Sequence, residues 1–181
     1  MGIFVTILTS IGGLDNSRKQ KFARNPLPSW IFLTTRETKA ASQRSLWDAE
    51  GSPTRDAVKL GQSVHLPGSE DIAVPNGKRK IKFSALPPGI QDVLGAYPPL
   101  LLLSTSLLLY SFGITSYLTP LRIEKTKEGN SAVWLLHVYR GVNMRLFERD
   151  IGFLSAEKRE RLSRMIHLHR QRSSIPFLLE W

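Results

Sequence analysis

The charged residues of this chain leave one long gap, from Asp92 to Arg122, in which no acidic or basic side chain occurs. A bilayer core of roughly 30 Å needs about 20 helical residues, and residues 98–119 supply that length between prolines at both ends. Proline suits the first turn and the position just past the end of a helix, so these prolines keep the hydrogen-bond ladder that lipid requires. The pattern predicts a transmembrane helix over residues 93–121, with its core at 98–119.

Hydroxyl side chains follow one side of this predicted helix. Ser111, Thr115 and Thr119 are four residues apart, and Ser104 lies seven residues before Ser111. Small hydroxyl residues let a second helix approach closely, so the four residues are a candidate stripe for a partner helix in the membrane. The alternative is a chance scatter of hydroxyls bonded to their own helix. For the whole uncharged stretch, the alternative is a helix buried in the core of a soluble protein.

The region before the stretch, residues 1–92, is basic and shows no sustained helical or strand period. Prolines and glycines interrupt it throughout, which predicts a largely irregular region that can become ordered by lying along another protein. Residues 1–47 are basic, rich in hydroxyls and poor in acids, as organelle transit segments are. A myristoylation pattern at Met1–Thr6 is an alternative for the extreme N-terminus.

A dense basic cluster, made of Lys78, Arg79, Lys80 and Lys82, lies ten residues before the uncharged stretch. Beside a membrane span, such a cluster indicates a juxtamembrane anchor on anionic lipid. The alternatives are a solvated loop and a site for nucleic-acid phosphates, for which only Phe83 offers a nearby stacking ring.

The region after the stretch, residues 122–181, predicts a small β-meander followed by a helix. Alternation from Leu121, a turn signal at 127–130 and an apolar run at 131–139 indicate two strands, and a third is expected at Met144 to Glu148. Ser155 can cap a helix that begins at Ala156. The outer face of this helix is basic and is either a contact for acidic lipid or RNA or a solvated face; its cations are Lys158, Arg159, Arg161, Arg164, Arg170 and Arg172.

Composition excludes several kinds of chemistry. The chain has 181 residues, a formal net charge of +10 and no cysteine, so disulfides, iron–sulfur clusters and thiol nucleophiles are excluded. On a helix, His167 and His169 point about 200° apart and cannot share one metal ion. No nucleotide-binding, hydrolase or metalloprotease motif occurs. We expect no catalytic site, no metal and no cofactor.

Several short segments after the uncharged stretch resemble the C-terminal part of the plastid photosystem I assembly protein family. These segments are 122–124, 127–129, 131–132, 140–141 and 154–157, within some 60 residues. That family has two membrane spans followed by a small soluble domain, whereas this chain shows one predicted span, so membership is not assigned. The resemblance implies an assembly factor without catalysis.

These patterns together predict a single-pass α-helical membrane protein with an irregular N-terminal region and a small α+β C-terminal region. The expected function is that of a non-catalytic accessory subunit or assembly factor of an organellar complex in the mitochondrial inner membrane. The expected partners are other membrane-protein subunits and the bilayer, including anionic lipid. The alternatives are a membrane-tethered adaptor that binds RNA, ribosomes or anionic lipid, and a small viral or endomembrane protein.

Overall fold

The computed structural model describes residues 25–66, 80–95, 98–126 and 129–173. Its centre is a five-stranded antiparallel sheet with the strand order β1-β2-β5-β4-β3. The strands are β1 (Gly51–Pro53), β2 (Ala57–Leu66), β3 (Lys80–Lys82), β4 (Tyr117–Thr126) and β5 (Gly129–Tyr139). The longest strand, β5, lies in the middle and pairs with both β2 and β4.

Five α-helices accompany the sheet in the described ranges: α1 (Arg36–Glu50), α2 (Pro88–Gly95), α3 (Leu100–Tyr110), α4 (Gly141–Asp150) and α5 (Ala156–Ser173). Side chains alternate between the two faces of a strand. The inner face of β5 presents Trp134, Leu136 and Val138, which form one core with buried residues of α1, α3, α4 and α5. A smaller cluster around Ile123 joins α2 to β3 and β4. The helices therefore form a layer on one face of the sheet.

The prediction of a single-pass membrane protein is wrong. In the parts of the chain that the structure describes, no helix combines the length and the apolar character that crossing a membrane requires. The uncharged stretch instead contains the last residues of α2, all of α3 and the start of β4. With 11 residues, α3 rises only about 16 Å, half of a bilayer core. The inner side of α3 matches the alternative prediction, a helix buried in a protein core.

Gly113 is the physical reason for the short helix. Gly113 lies three residues after the last residue of α3, and its φ of 76° is the left-handed conformation that ends a helical segment. The Gly113 N–H donates to the Tyr110 carbonyl at 2.8 Å, and the Ile114 N–H donates to the Leu109 carbonyl at 3.1 Å. This bond pair is the Schellman motif, and Leu109 and Ile114 are both fully buried, which supplies its hydrophobic contact.

The predicted irregularity of the N-terminal region is also wrong for the described residues, which form α1, β1, β2 and β3. Thr35 caps α1, since its side chain accepts a hydrogen bond from the Thr38 N–H. The buried residues of α1 are Ser42, Gln43 and Trp47. Because two of these three are polar, the buried face of α1 lacks the apolar period by which an amphipathic helix is recognised.

Beyond the uncharged stretch, the structure contains the predicted hairpin, formed by β4 and β5, and the helix that begins at Ala156. The Lys158 N–H lies 3.4 Å from the Ser155 hydroxyl, which caps this helix as expected. The prediction of a third strand is wrong, because residues 144–148 belong to α4. Met144, Phe147 and Ile151 are buried at i, i+3 and i+7, which is the spacing of one helix face, whereas on a strand Met144 and Phe147 would lie on opposite faces.

Candidate functional site

The outer side of α3 is the most apolar exposed surface on any described helix. Leu100, Leu107 and Tyr110 are 47%, 65% and 74% exposed, and Leu103 between them is half-buried. We call Leu100, Leu103, Leu107 and Tyr110 the α3 stripe. Their spacing of i, i+3, i+7 and i+10 places them along one line of the helix. On the other side of α3, Leu102 and Leu109 are fully buried in the core against the sheet, and Leu101 and Leu108 are also buried.

Hydrogen bonds join the helix that carries the α3 stripe to two neighbouring segments. The Ser104 hydroxyl bonds to the Leu100 and Leu101 carbonyls and accepts the Leu27 N–H at 2.8 Å, so the segment before α1 is fixed against the helix. Ser106 and Ser116 hydroxyls are 2.8 Å apart, which ties α3 to the chain entering β4. The stripe is therefore held by neighbours on both sides while its own side chains stay exposed.

The four hydroxyl residues predicted to form a helix-partner stripe do not share one helix. Ser104 lies in α3 and is buried, and Ser111, directly after α3, donates its hydroxyl to the Leu108 carbonyl. Thr115 follows the Gly113 turn, and its N–H donates to Asn143 Oδ1. Thr119 lies in β4, where its hydroxyl is 2.7 Å from His137 Nε2. The four hydroxyl residues would lie side by side only on one long helix, which the turn at Gly113 prevents.

Half of the predicted basic cluster lies outside the described residues, namely Lys78 and Arg79. Lys80 and Lys82 are on the edge strand β3. Lys80 Nζ is 3.3 Å from Glu124 Oε1, and Arg122 Nε donates to the same oxygen at 2.6 Å. Burial raises the pKa of Glu124, but the hydrogen bonds from Arg122 and Lys80 outweigh it and hold this pKa below its ordinary value. Lys80 is thus engaged within the sheet.

The basic helix α5 is less cationic than its sequence indicates. Arg161 lies 3.8 Å from Glu157, and Arg164 pairs with Glu160. Arg159 is exposed. The predicted cations Arg170 and Arg172 belong to α5, beyond the part whose side chains the structure describes.

Lys158 has a structural position rather than a place on the basic face of α5. Its Nζ donates to the carbonyls of Asp48 at 2.5 Å and of Gly51 at 2.8 Å, at the C-terminal end of α1. In return, Asp48 Oδ1 accepts the N–H groups of Leu154 and Ser155, at the start of α5. Each helix therefore caps the other.

A cleft of about 310 Å³ lies where α1, α4 and α5 meet. Its polar lining is Arg44, Glu148, Arg159 and Ser163. Arg44 Nε donates to the Ile151 carbonyl, and the Ser163 hydroxyl donates to Glu148. Three of the four polar groups are thus bonded within the protein and hold the helices together.

The face of the sheet opposite the helices carries an aromatic and polar group of side chains. Tyr117 and Tyr139 rings lie 4.5 Å apart at an interplanar angle of 36°, with Thr119 and His137 beside them. We call Lys59, Tyr117, Thr119, His137 and Tyr139 the tyrosine patch; these residues are half-buried except for Thr119, which is exposed. The patch spans the three neighbouring strands β2, β5 and β4.

Burial and nearby charges favour the neutral form of His137 in the tyrosine patch. Burial, and then the nearby Lys59 ammonium, lower the pKa of His137, which favours the neutral imidazole. Asp56 lies 3.5 Å from Lys59. Burial raises the pKa of Asp56, but Lys59 and the Thr54 hydroxyl outweigh this and lower it overall.

No three potential ligands among the His, Asp and Glu side chains of the described ranges gather to hold a metal ion. Comparisons with protein-family models, with curated proteins and with solved structures found no match for this chain. The proposed function therefore rests on the geometry of the exposed surfaces. Neither the α3 stripe nor the tyrosine patch was predicted as a site, although the i, i+3, i+7 spacing of Leu100, Leu103 and Leu107 was visible in the sequence.

Proposed function

We propose that this chain is a non-catalytic subunit or assembly factor of a larger complex, and that it binds a helix of a partner protein along the α3 stripe. The observation that carries the proposal is the exposure of Leu100, Leu107 and Tyr110 on a helix whose other side is fully buried. Large apolar side chains that adjoin one another on a surface are typical of interaction sites.

The spacing of the stripe favours a helical partner. Residues at i, i+3, i+7 and i+10 are the a and d positions of two heptads, which pack as knobs into the holes of a facing helix. The partner helix should carry an apolar stripe of the same kind. The stripe itself carries no charge, because α3 contains no acidic or basic residue.

The energy available fits a specific complex. Full burial of a leucine side chain is worth about 1.5 to 3 kcal/mol, and the stripe offers three leucines and a tyrosine that are partly exposed. A gain of about 1 kcal/mol for each would contribute roughly 4 kcal/mol, or close to a thousand-fold in affinity, before the costs of association. The mitochondrial location and the binding of anionic lipid stay predictions.

Photo-cross-linking in the native host tests the proposal. A benzophenone amino acid replaces Leu107 in the full chain, and cross-linked peptides are identified by mass spectrometry. Tyr110→Lys is the disrupting variant. Leu168→Lys is the matched control, because Leu168 is 52% exposed but lies on α5, outside the stripe.

The expected cross-link joins position 107 to a peptide of another protein that has apolar residues at i, i+3 and i+7. Tyr110→Lys should lower its yield about tenfold or more, since a buried lysine loses apolar contact and must be desolvated. Leu168→Lys should leave the yield unchanged. Cross-links only to a second copy of this chain, only to lipid, or equally lowered by both variants would refute the proposal.

A further inference from the structure

The tyrosine patch lies on the face of the sheet away from the helix layer, so it is separate from the α3 stripe. Tyr117 and His137 are direct partners across β4 and β5, and Lys59 faces His137 from β2. The patch therefore presents its side chains side by side on three adjacent strands rather than along one strand. A ligand that lies across the strands can contact all of them at once.

The two tyrosines provide partly exposed aromatic surface on this face of the sheet. Their rings are 4.5 Å apart and tilted by 36°, and both are only half-buried. Unstacked bases bind proteins by stacking on such rings, which is sequence-tolerant because every base has a π-face. A sheet face with neighbouring aromatic side chains is a platform of this type.

The polar groups beside the rings suit a ribose. The Thr119 hydroxyl and His137 Nε2 are 2.7 Å apart, and Thr119 is exposed. Because burial and Lys59 favour neutral His137, this pair offers both hydrogen-bond donors and acceptors at neutral pH. A ribose 2′-hydroxyl, which donates and accepts, is the group by which proteins distinguish RNA from DNA.

Positive charge at the rim of the patch suits phosphates. Arg140 is exposed and its guanidinium carbon lies 5.7 Å from the centre of the Tyr139 ring. Lys59 contributes a second cation on the opposite strand, partly balanced by Asp56. The chain as a whole carries a net charge of +10, which attracts a polyanion over longer distances.

We propose that the tyrosine patch binds single-stranded RNA without sequence specificity, through stacking on Tyr117 and Tyr139 and phosphate contacts with Lys59 and Arg140. Duplex RNA does not fit this mode, because its bases are stacked on one another and do not present a free face. The binding site lies on the opposite side of the molecule from the proposed partner helix, so each proposal can fail alone.

Fluorescence anisotropy with the full chain tests the proposal. The probe is a fluorescein-labelled eight-nucleotide oligouridine, measured at several salt concentrations, beside a duplex RNA and an oligodeoxyuridine of the same length. The variants are Tyr139→Leu, which removes a ring, Tyr139→Phe, which keeps it, and Lys59→Gln. The matched control is Tyr110→Leu, because Tyr110 is an exposed tyrosine on the helix layer.

Tyr139→Leu should weaken oligouridine binding about tenfold, whereas Tyr139→Phe and Tyr110→Leu should stay within about twofold. Lys59→Gln should weaken binding and flatten the dependence on salt, since one phosphate contact fewer releases fewer counterions. If circular dichroism shows that Tyr139→Leu does not fold, the result for Lys59→Gln decides the test. The absence of oligouridine binding at low salt would overturn the proposal, as would an equal affinity for the duplex or the deoxy probe. Equal effects of Tyr110→Leu and Lys59→Gln on the affinity for oligouridine would also overturn it.

Discussion

At the scale of single residues, the helix layer depends on a few charged side chains that are directed inward. Asp48 of α1 accepts two N–H groups at the start of α5, and Lys158 of α5 donates to two carbonyls at the end of α1. Helix ends leave N–H and C=O groups without partners in their own helix. These two side chains satisfy such groups reciprocally, although both would be placed on solvated helix faces by sequence pattern alone.

Removal of the Asp48 carboxylate should destabilise the protein. We expect Asp48→Ala to lower the free energy of unfolding by about 1 to 2 kcal/mol, the usual cost of a lost cap. Urea denaturation followed by circular dichroism measures this. Glu50→Ala is the control, because Glu50 ends the same helix but is exposed, and it should change stability by less than about 0.5 kcal/mol. Equal effects of the two substitutions would show that the reciprocal cap contributes nothing.

Asp150 gives the protein a dependence on acid pH. The hydrogen bond from Arg149 lowers its pKa, burial opposes this shift, and Arg36 adds to the lowering. Because the folded state favours the ionised carboxylate, its contribution is present above the unfolded-state pKa of about 3.9 and is lost as pH falls through the lower folded-state pKa.

We therefore expect Asp150→Asn to lower stability at pH 7 by about 0.5 to 1 kcal/mol, since the ion pairs are partly exposed. The difference from the wild type should shrink as the pH falls below about 4. Thermal melts from pH 7 to pH 2 measure it, with the exposed Asp92→Asn as control. A difference that grows on acidification would contradict this assignment.

At the scale of elements, the end of α3 decides the fold of the uncharged stretch. Gly113 has a φ of 76°, which costs a residue with a side chain about 1 to 2 kcal/mol. Gly113→Ala should destabilise the protein by that amount. Gly89→Ala, in α2, should be neutral or stabilising, because a Cβ there meets open space. Urea denaturation of the two variants tests this, and similar values for both would remove Gly113 as the cause of the helix end.

Local signals in the sequence located some elements and not others. The hairpin and the start of α5 were predicted because turn residues and a cap residue act within a few positions. The prediction of a long helix was wrong because hydropathy counts apolar residues but does not show that the inner side of α3 is buried by a sheet. Strand β2 was missed because its partner β5 lies some 70 residues away in sequence, beyond the reach of any local pattern.

At the scale of the whole molecule, the layers separate two surfaces. The helix layer presents the α3 stripe outward, and the sheet presents the tyrosine patch on its other side. Neither could be found from the sequence alone, because the exposure of the stripe depends on which side of α3 packs in the core, and the proximity of Tyr117 to Tyr139 depends on the pairing of β4 with β5. The turn at Gly113 is common to both surfaces, since it separates α3 from the strand that carries Tyr117.

An engineered disulfide tests this turn most directly, because the chain has no cysteine of its own. Ser106 and Ser116 hydroxyls are 2.8 Å apart in the fold, whereas in one continuous helix over 98–119 the two residues would be about 15 Å apart along the axis. A disulfide needs Cα atoms within about 7 Å. Ser106→Cys with Ser111→Cys is the control pair.

Under mild oxidation of the natively purified protein, we predict near-complete formation of the disulfide in the double variant Ser106→Cys, Ser116→Cys, measured by thiol alkylation and mass spectrometry. The control pair should keep both thiols free. If the 106–116 pair instead keeps two free thiols while the protein remains folded, residues 106 and 116 are not adjacent, which contradicts the turn at Gly113 and the two separate surfaces that depend on it.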